Sequence, residues 1–541
     1  MKQIAIVLCL SAALALSVSC SESLLNIPQL GVQSEANSYI TDEDCDAATA
    51  AVYAAWRHAW SGTGSSSAIG TTFCNLFWFK NLLSDEFNPG SQTYQTDLAS
   101  YTYTNANPWI GAIYEFLYGT VYYANIVIDN FKPESETKTR CIAEAKFFRA
   151  LSYYELITLW GRVPLVDHVM TPENNYQIAP SDIETLWKFV LGDLDDAIGP
   201  EGAPLLVSKK NIDDKDTGTR ITLEAAYAVR GKVHLTLKNY SEARADFGKV
   251  IGSGKYGLID NIGDLYHTAA NGCREYIFEN VRHWDTNNLY TSSDDAAQDG
   301  WYGLEENWPF MYAMEAADDA QYPFVTVAGW GAMDPTRKVY DSFVAEEGPN
   351  SVRRLASVVD TTDLKALKVT ILKTCDWKGS DAYFRFKWLM RTDDEWDTGW
   401  TGRLNNTPCM RYADVLLMMA EACVRDGEDG DAYINEVRAR AGLSPVSGAT
   451  IADVKKERLL ELCFEATRLQ DLKRWDECGE GDLPANLADK GKRVPRTIGT
   501  EGGACRVEWT DNPDPSAGWT EAKRYLPYPL VEEQTNKLIN E

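Results

Sequence analysis

Along much of the chain apolar residues return every three to four positions, the spacing of one helix face. "DAATAAVYAAWRHAW" (46–60) is Ala-rich with aromatic residues at that spacing. "WIGAIYEFLYGTVYYANIVIDNF" (109–131) predicts a long helix with an aromatic face. "RCIAEAKFFRALSYYELITLWG" (140–161) predicts another, stopped by Gly161 and then Pro164. A fourth, 182–198, has Asp182 near its start. In 219–251, Gly231, Ala243 and Phe247 stand 12 and 4 positions apart, as in tetratricopeptide repeats, where these residues let two antiparallel helices pack closely. A second helix pair is expected over 411–443 and one long helix over 451–475. From 260 to 408 the periodicity stops, and Gly, Asp, Asn, Trp and Tyr predominate, which predicts loops with short strands. The expected architecture is mostly α: a tetratricopeptide-like helix-pair scaffold over about 40–260 and 409–541, in a single domain from 20 to 541. A long irregular insertion, about 261–408, interrupts it.

Composition narrows the function. With 541 residues, 45% hydrophobic and 24% charged, the chain can bury a large core. A net charge of −27 speaks against nucleic acid, whose phosphates require clustered Lys and Arg. It also speaks against adsorption of the protein surface to anionic lipid. The only long apolar run, 4–19, is shorter than the roughly 20 residues a spanning helix needs. Following Lys2 and ending in small residues, it reads as a secretory signal over 1–19. Cys20 directly after it resembles the lipobox of bacterial lipoproteins, where the new N-terminal cysteine is acylated and anchors the protein stably. "SLLNIPQLG" beyond it is expected to run as an extended leash.

Ten of the twelve cysteines lie between Cys45 and Cys505, with no CxxC and no zinc-type Cys/His spacing. Cys409, Cys423 and Cys463 sit in helical patterns and read as buried thiols. No metal site and no cofactor is expected. Asp294, Asp295 and Asp299 lack the spacing of an EF-hand and read as a solvated loop. His58, His168, His234, His267 and His283 are isolated from one another in sequence. Glu457, Glu461, Glu465 and Arg468 recur at i, i+4 and i+3, which predicts a salt-bridged helix face rather than a pair of catalytic acids. Arg149, Arg411 and Arg438 read as structural ion-pair partners.

Six ordered segments together resemble the SusD/RagB family of outer-membrane nutrient-binding lipoproteins of the Bacteroidetes. They are "SCSESLLNIPQ", "LLSDEFNPG", "AEAKFFRALSYYELITLWGRVPLV", "MRYADVLLMMAEA" with "INEVRARAGL", "ERLLELCFEATRLQDLKRW" and "YLPYPLVEEQTNKLIN". The resemblance implies capture of a nutrient, most often an oligosaccharide, at the cell surface and its delivery to a SusC-like TonB-dependent transporter. The protein itself would not be an enzyme. Two alternatives are a peptide- or protein-binding RagB-like lipoprotein and a surface glycoside hydrolase.

Sugar rings offer flat C–H faces and a hydroxyl rim, so a binder needs exposed aromatic rings with polar side chains beside them. Those of the 17 Trp and 27 Tyr that fall in helices read as core, and those in Gly/Asp/Asn-rich loops are the candidates. The resemblance places the ligand site in the loop after Asp85-Glu86 and in the middle insertion. Its candidates here are Asn88, Gln92, Tyr94, Trp301, Tyr302 and Trp330, with Trp330 foremost in its Gly-Trp-Gly setting. The starch-binding member carries an Arg where Gly70 stands here, which weighs against a starch-like ligand.

Overall fold

Helices form where the apolar stripe predicts them, and side chains close their ends. The computed structural model describes residues 39–61, 65–66, 70–71, 74–88, 93–172, 176–215, 217–281, 314–316, 333–371, 381–387, 389, 394, 405–501 and 504–541. Among the described residues helix predominates and strand is sparse. Helix α1 (Asp42–Ser61) leads, followed by two helices with no sequence forecast, α2 (Leu76–Leu83) and α3 (Thr93–Ser100). Every residue of α2 is buried. A helix enclosed on all sides carries no polar stripe, which is why periodicity misses it.

Helix α4 (Pro108–Asn130) begins with proline at its first position, and the Asn107 side chain accepts from the amides of Trp109 and Ile110. Helix α5 (Glu136–Trp160) is capped by Ser135 and stops at Gly161, whose φ of 77° suits glycine. Asp182 caps α6 (Ile183–Ile198) by accepting from the Thr185 amide. α4 packs on α5, α5 on α6, and α1 lies across both α4 and α5. The tetratricopeptide-like pair is α7 (Leu223–Thr236) and α8 (Tyr240–Gly252). Gly231 meets Phe247 there so closely that an added Cβ would stand 2.6 Å from the ring.

The 260–408 stretch contains the expected short strands, but also helix α9 (Arg337–Glu347) and two one-turn helices, Val352–Ser357 and Thr361–Ala366. Only Val339 and Phe343 of α9 are buried, too narrow a stripe to stand out in the sequence. Strand β1 (Tyr276–Asn280) pairs antiparallel with β2 (Thr407–Arg411), so the two ends of the middle segment are clipped together. Cys409 therefore lies in a strand, not a helix, because it continues this pairing. Cys423 and Cys463 are buried as expected.

The second half builds α10 (Tyr412–Arg425), α11 (Asp431–Arg440), α12 (Ile451–Leu462) and α13 (Arg468–Glu477). α10 packs against α11, α12 and, from the first half, α8. An antiparallel hairpin, β3 (Arg493–Glu501) and β4 (Ala504–Asp511), follows. The single helix expected over 451–475 is instead broken between α12 and α13. Phe464 and Ala466 have φ of 67° and 61° there. The break is held from outside: the Phe464 amide donates to Glu86 Oε2 (3.1 Å) and the Ala466 amide to Asn81 Oδ1 (3.1 Å). These side chains satisfy amides that a continuous helix would have bonded internally. Among the described residues no helix is long and apolar enough to cross a membrane.

Candidate functional site

The loop after Asp85-Glu86 is fastened on two sides. On one side it meets residues 334–336 of the middle segment. The Asn88 amide donates to the Asp334 carbonyl (2.8 Å) and its side-chain amide to the Pro335 carbonyl (3.2 Å). The Thr336 amide returns a bond to the Glu86 carbonyl (2.8 Å), and Phe87 bridges Pro335. Asn88 is thus buried, with its side chain occupied in joining two segments. Residues 334–336 belong to the middle insertion, so the two segments expected to build the site touch at this joint.

On the other side lies a buried charge cluster. Arg468 grips both carboxylate oxygens of Asp85 (2.8 and 3.0 Å), and Lys338 adds a third bond. Burial opposes ionisation of Asp85, yet these two cations hold its carboxyl well below the usual range. Glu86 goes the other way: burial, and then the neighbouring Asp85 charge, push it up to about 8. Lys490 donates to the carbonyls of Ser84 and Phe87, and burial lowers it to about 7. The loop is a rigid mount whose hydrogen bonds come from distant parts of the chain.

Tyr94 is 51% exposed, the kind of ring that a sugar face can stack on. It lies on α3 rather than in a loop. Its carbonyl accepts from Asn107 Nδ2 (3.4 Å), which ties α3 to the start of α4. Asn107 also lines a cavity of about 550 Å³ between α4, residues 164–170 and 176–178, and residues 529–536. Its walls carry Tyr114, Tyr118 and Tyr176, and its charge comes from Glu115 and Glu532. Its volume is that of a small-ligand site. Sequence inspection misses it because three aperiodic or distant segments build it. Gln92, Trp301, Tyr302, Trp330, the anchor Cys20 and the 294–299 aspartates lie outside the described residues.

The carboxylates of the Glu-rich segment face arginines. Glu461 contacts Arg353 (3.0 Å), Arg411 (3.1 Å) and Arg440, and Glu457 contacts Arg353 (2.6 Å) and Arg438 (3.1 Å). Glu465 is held by Arg411 and Lys387, each at 2.7 Å. Arg468, expected beside Glu465, reaches Asp85 instead, because the break reorients α13. Glu461 stays ionised despite its burial because Arg440, Arg411 and Arg353 surround it. Arg149 likewise pairs with Asp193 (2.7 Å). One histidine acquires a partner invisible in sequence: His267 Nδ1 lies 2.6 Å from Asp394, and both are buried. Among the described residues no group of three or more His, Cys, Asp or Glu could hold a metal ion.

This architecture has known counterparts. Residues 74–235 match a family described as "Starch-binding associating with outer membrane", and 368–540 match the SusD family. A SusD-like protein of Bacteroides ovatus is 23% identical over 97% of this chain and 95% of its own length. The starch-binding protein SusD of Bacteroides thetaiotaomicron is 24% identical over 65% of this chain and 67% of its own. Among solved structures, a laminarin-binding SusD-like protein superposes with a TM-score of 0.70 at 24% identity, covering 93% of this chain and 99% of that one. With matches to one kind of protein at both ends of the chain and a relative aligned along nearly all of it, the chain belongs to the SusD/RagB family.

Proposed function

We propose that this protein is a lipid-anchored, surface-exposed glycan binder of the outer membrane. It captures oligosaccharide without cleaving it and delivers it to a SusC-like TonB-dependent transporter. The observation that carries this reading is the likeness, over almost the whole of both chains, to a protein described as laminarin binding. Surface glycan-binding protein A of Bacteroides fluxus, with a TM-score of 0.68 at 21% identity and 91% coverage, supports the same ligand class. In this reading the middle segment, about 261–408, is the ligand-binding part of a single domain. Tyr94, Trp301, Tyr302 and Trp330 supply stacking rings, and Asn88 and Gln92 polar contacts. Cys20 carries the lipid. The ion-paired state of Glu457, Glu461 and Glu465 supports binding over hydrolysis, since each carboxylate is committed to cations.

The test is calorimetry of the purified protein against laminarin, starch and a peptide mixture, with reducing ends assayed in parallel. The expected result is saturable glycan binding and no new reducing ends. Tyr94→Ala and Trp330→Ala should each weaken that binding about tenfold, ~1.4 kcal/mol, with the melting temperature unchanged. Steady release of reducing ends would replace this reading with a hydrolase. Binding of peptides alone would replace it with the RagB-like alternative.

A further inference from the structure

Two thiols meet near the start of α1. Cys45 on α1 and Cys141 on α5 are both fully buried, and the two helices pack together. The Cys141 thiol rests on one turn of α1. It shares a hydrogen bond with the Cys45 thiol, touches the Thr49 hydroxyl, and its Sγ lies 3.6 Å from Asp46 Oδ1. Thr49 Oγ1 in turn donates to the Cys45 carbonyl (2.8 Å), which fixes that turn. Other described cysteines have other neighbours: Cys463 faces the Leu460 carbonyl and Cys478 the Tyr240 hydroxyl.

We propose that Cys45 and Cys141 are joined by a disulfide in the mature exported protein. The inference rests on the export part of the function proposed above, since disulfides form and persist outside the cytoplasm. The oxidant is the disulfide of a thiol–disulfide exchange protein. Cys141 is the attacking sulfur. The hydrogen bond from Cys45 outweighs burial and, helped by Arg140 and Arg220, lowers the Cys141 thiol below its ordinary value, which favours its ionisation over that of Cys45. It attacks the donor disulfide and displaces one donor thiolate. Cys45 then loses its proton and attacks the mixed disulfide at the Cys141 sulfur, closing the new S–S bond and releasing the donor as a dithiol. Two electrons and two protons leave the pair. Asp46, Arg140 and Arg220 around it are partly exposed, so the pair lies close beneath the surface. The cross-link has a mechanical use. The leash from Cys20 joins α1 at Asp42, three residues before Cys45. A pull on the anchor would then load α5 instead of peeling α1 away.

The experiment isolates the full-length protein from cell envelopes, denatures it in an alkylating agent, and maps unreduced peptides by mass spectrometry. A linked Cys45–Cys141 peptide pair that reductant releases is expected. Alkyl groups on both residues would overturn the proposal. If the protein proves cytoplasmic, the export reading fails by itself. A chain lacking residues 1–19, treated with oxidised glutathione, then decides the pairing: a 45–141 link supports it and two free thiols refute it. Oxidised protein should melt several degrees above reduced protein, and Cys45→Ala should abolish the difference.

Discussion

Glu86 is a carboxyl whose environment prefers it neutral. In the folded chain its pKa is raised to about 8 from an ordinary 4.5. The folded state therefore holds a proton that the unfolded state has released, and stability falls as pH rises from 4.5 through 8. Lys490 beside it works in the opposite sense, because its lowered pKa of about 7 favours folding as pH rises towards 10.5. The Glu86 contribution is therefore read from a difference between proteins. Glu86→Gln keeps an oxygen for the Phe464 amide and removes the titration. It should match wild type near pH 4.5 and exceed it by a few kcal/mol at most at pH 9, in urea unfolding at both pH values. Parallel stability curves would show that Glu86 does not carry the proton. Arg411 poses the complementary case, since it serves Glu275, Glu461 and Glu465 at once. Arg411→Met should cost about 3–5 kcal/mol, because it leaves buried carboxylates without their cation. A loss below about 1 kcal/mol, the scale of an exposed pair, would mean that the network tolerates water. Sequence spacing identified Glu457, Glu461 and Glu465 as charged residues with structural partners. It marked Arg411 and Arg438 as ion-pair partners without pairing them to these glutamates, and it did not single out Arg353 and Arg440, which arrive from two further elements.

At the scale of elements, the α7–α8 pair is the place where spacing and packing agree most closely. Ala243 and Phe247 are fully buried, and Gly231 leaves room for the Phe247 ring alone. Gly231→Ala should cost about 1–3 kcal/mol by forcing that ring aside. In a Phe247→Leu background the same substitution should cost less, and the coupling in a double-mutant cycle measures the contact. Additive costs would place the strain elsewhere. This pair was legible because both its halves lie within 33 residues. The break between α12 and α13 was not, because its cause lies 378 positions earlier, at Glu86. A local pattern reports local hydrogen-bonding options and is silent on a side chain that arrives from the other end of the chain. Helix α2 was hidden for a different reason: its burial is uniform, so it has no stripe to detect. Tyr94, placed in the site only by the family resemblance, lies exposed on α3, while Asn88 is engaged in holding Pro335.

At the scale of the molecule, the helical halves before and after the middle segment also meet each other directly. α8 packs on α10, and Asp85 is bound by Arg468. Trp160 Nε1 reaches across to the Pro527 carbonyl (3.0 Å), and the Leu526 amide donates to the Leu159 carbonyl (2.9 Å). The scaffold was legible because its helices repeat apolar spacing and its motifs resemble a family. The ligand contacts were not, because stacking surfaces depend on where aperiodic chain is mounted, and that is set by hydrogen bonds such as those of Asn88 to residues 334–335. Scaffold integrity and ligand capture should therefore be separable. A protease site inserted at Asp294-Asp295 and cut after folding should leave two fragments that elute together in size exclusion. They should melt within a few degrees of the intact chain, because the packing of α8 on α10 and the Asp85–Arg468 pair involve residues outside the cut segment. Glycan affinity should fall, since the cut segment carries three of the proposed rings. Fragments that separate would show that the middle segment's continuity, and not the helix packing, holds the molecule together. Co-elution with undiminished affinity would move the ligand contacts away from Trp301, Tyr302 and Trp330, leaving Tyr94 and the cavity beside Asn107 as the place to look.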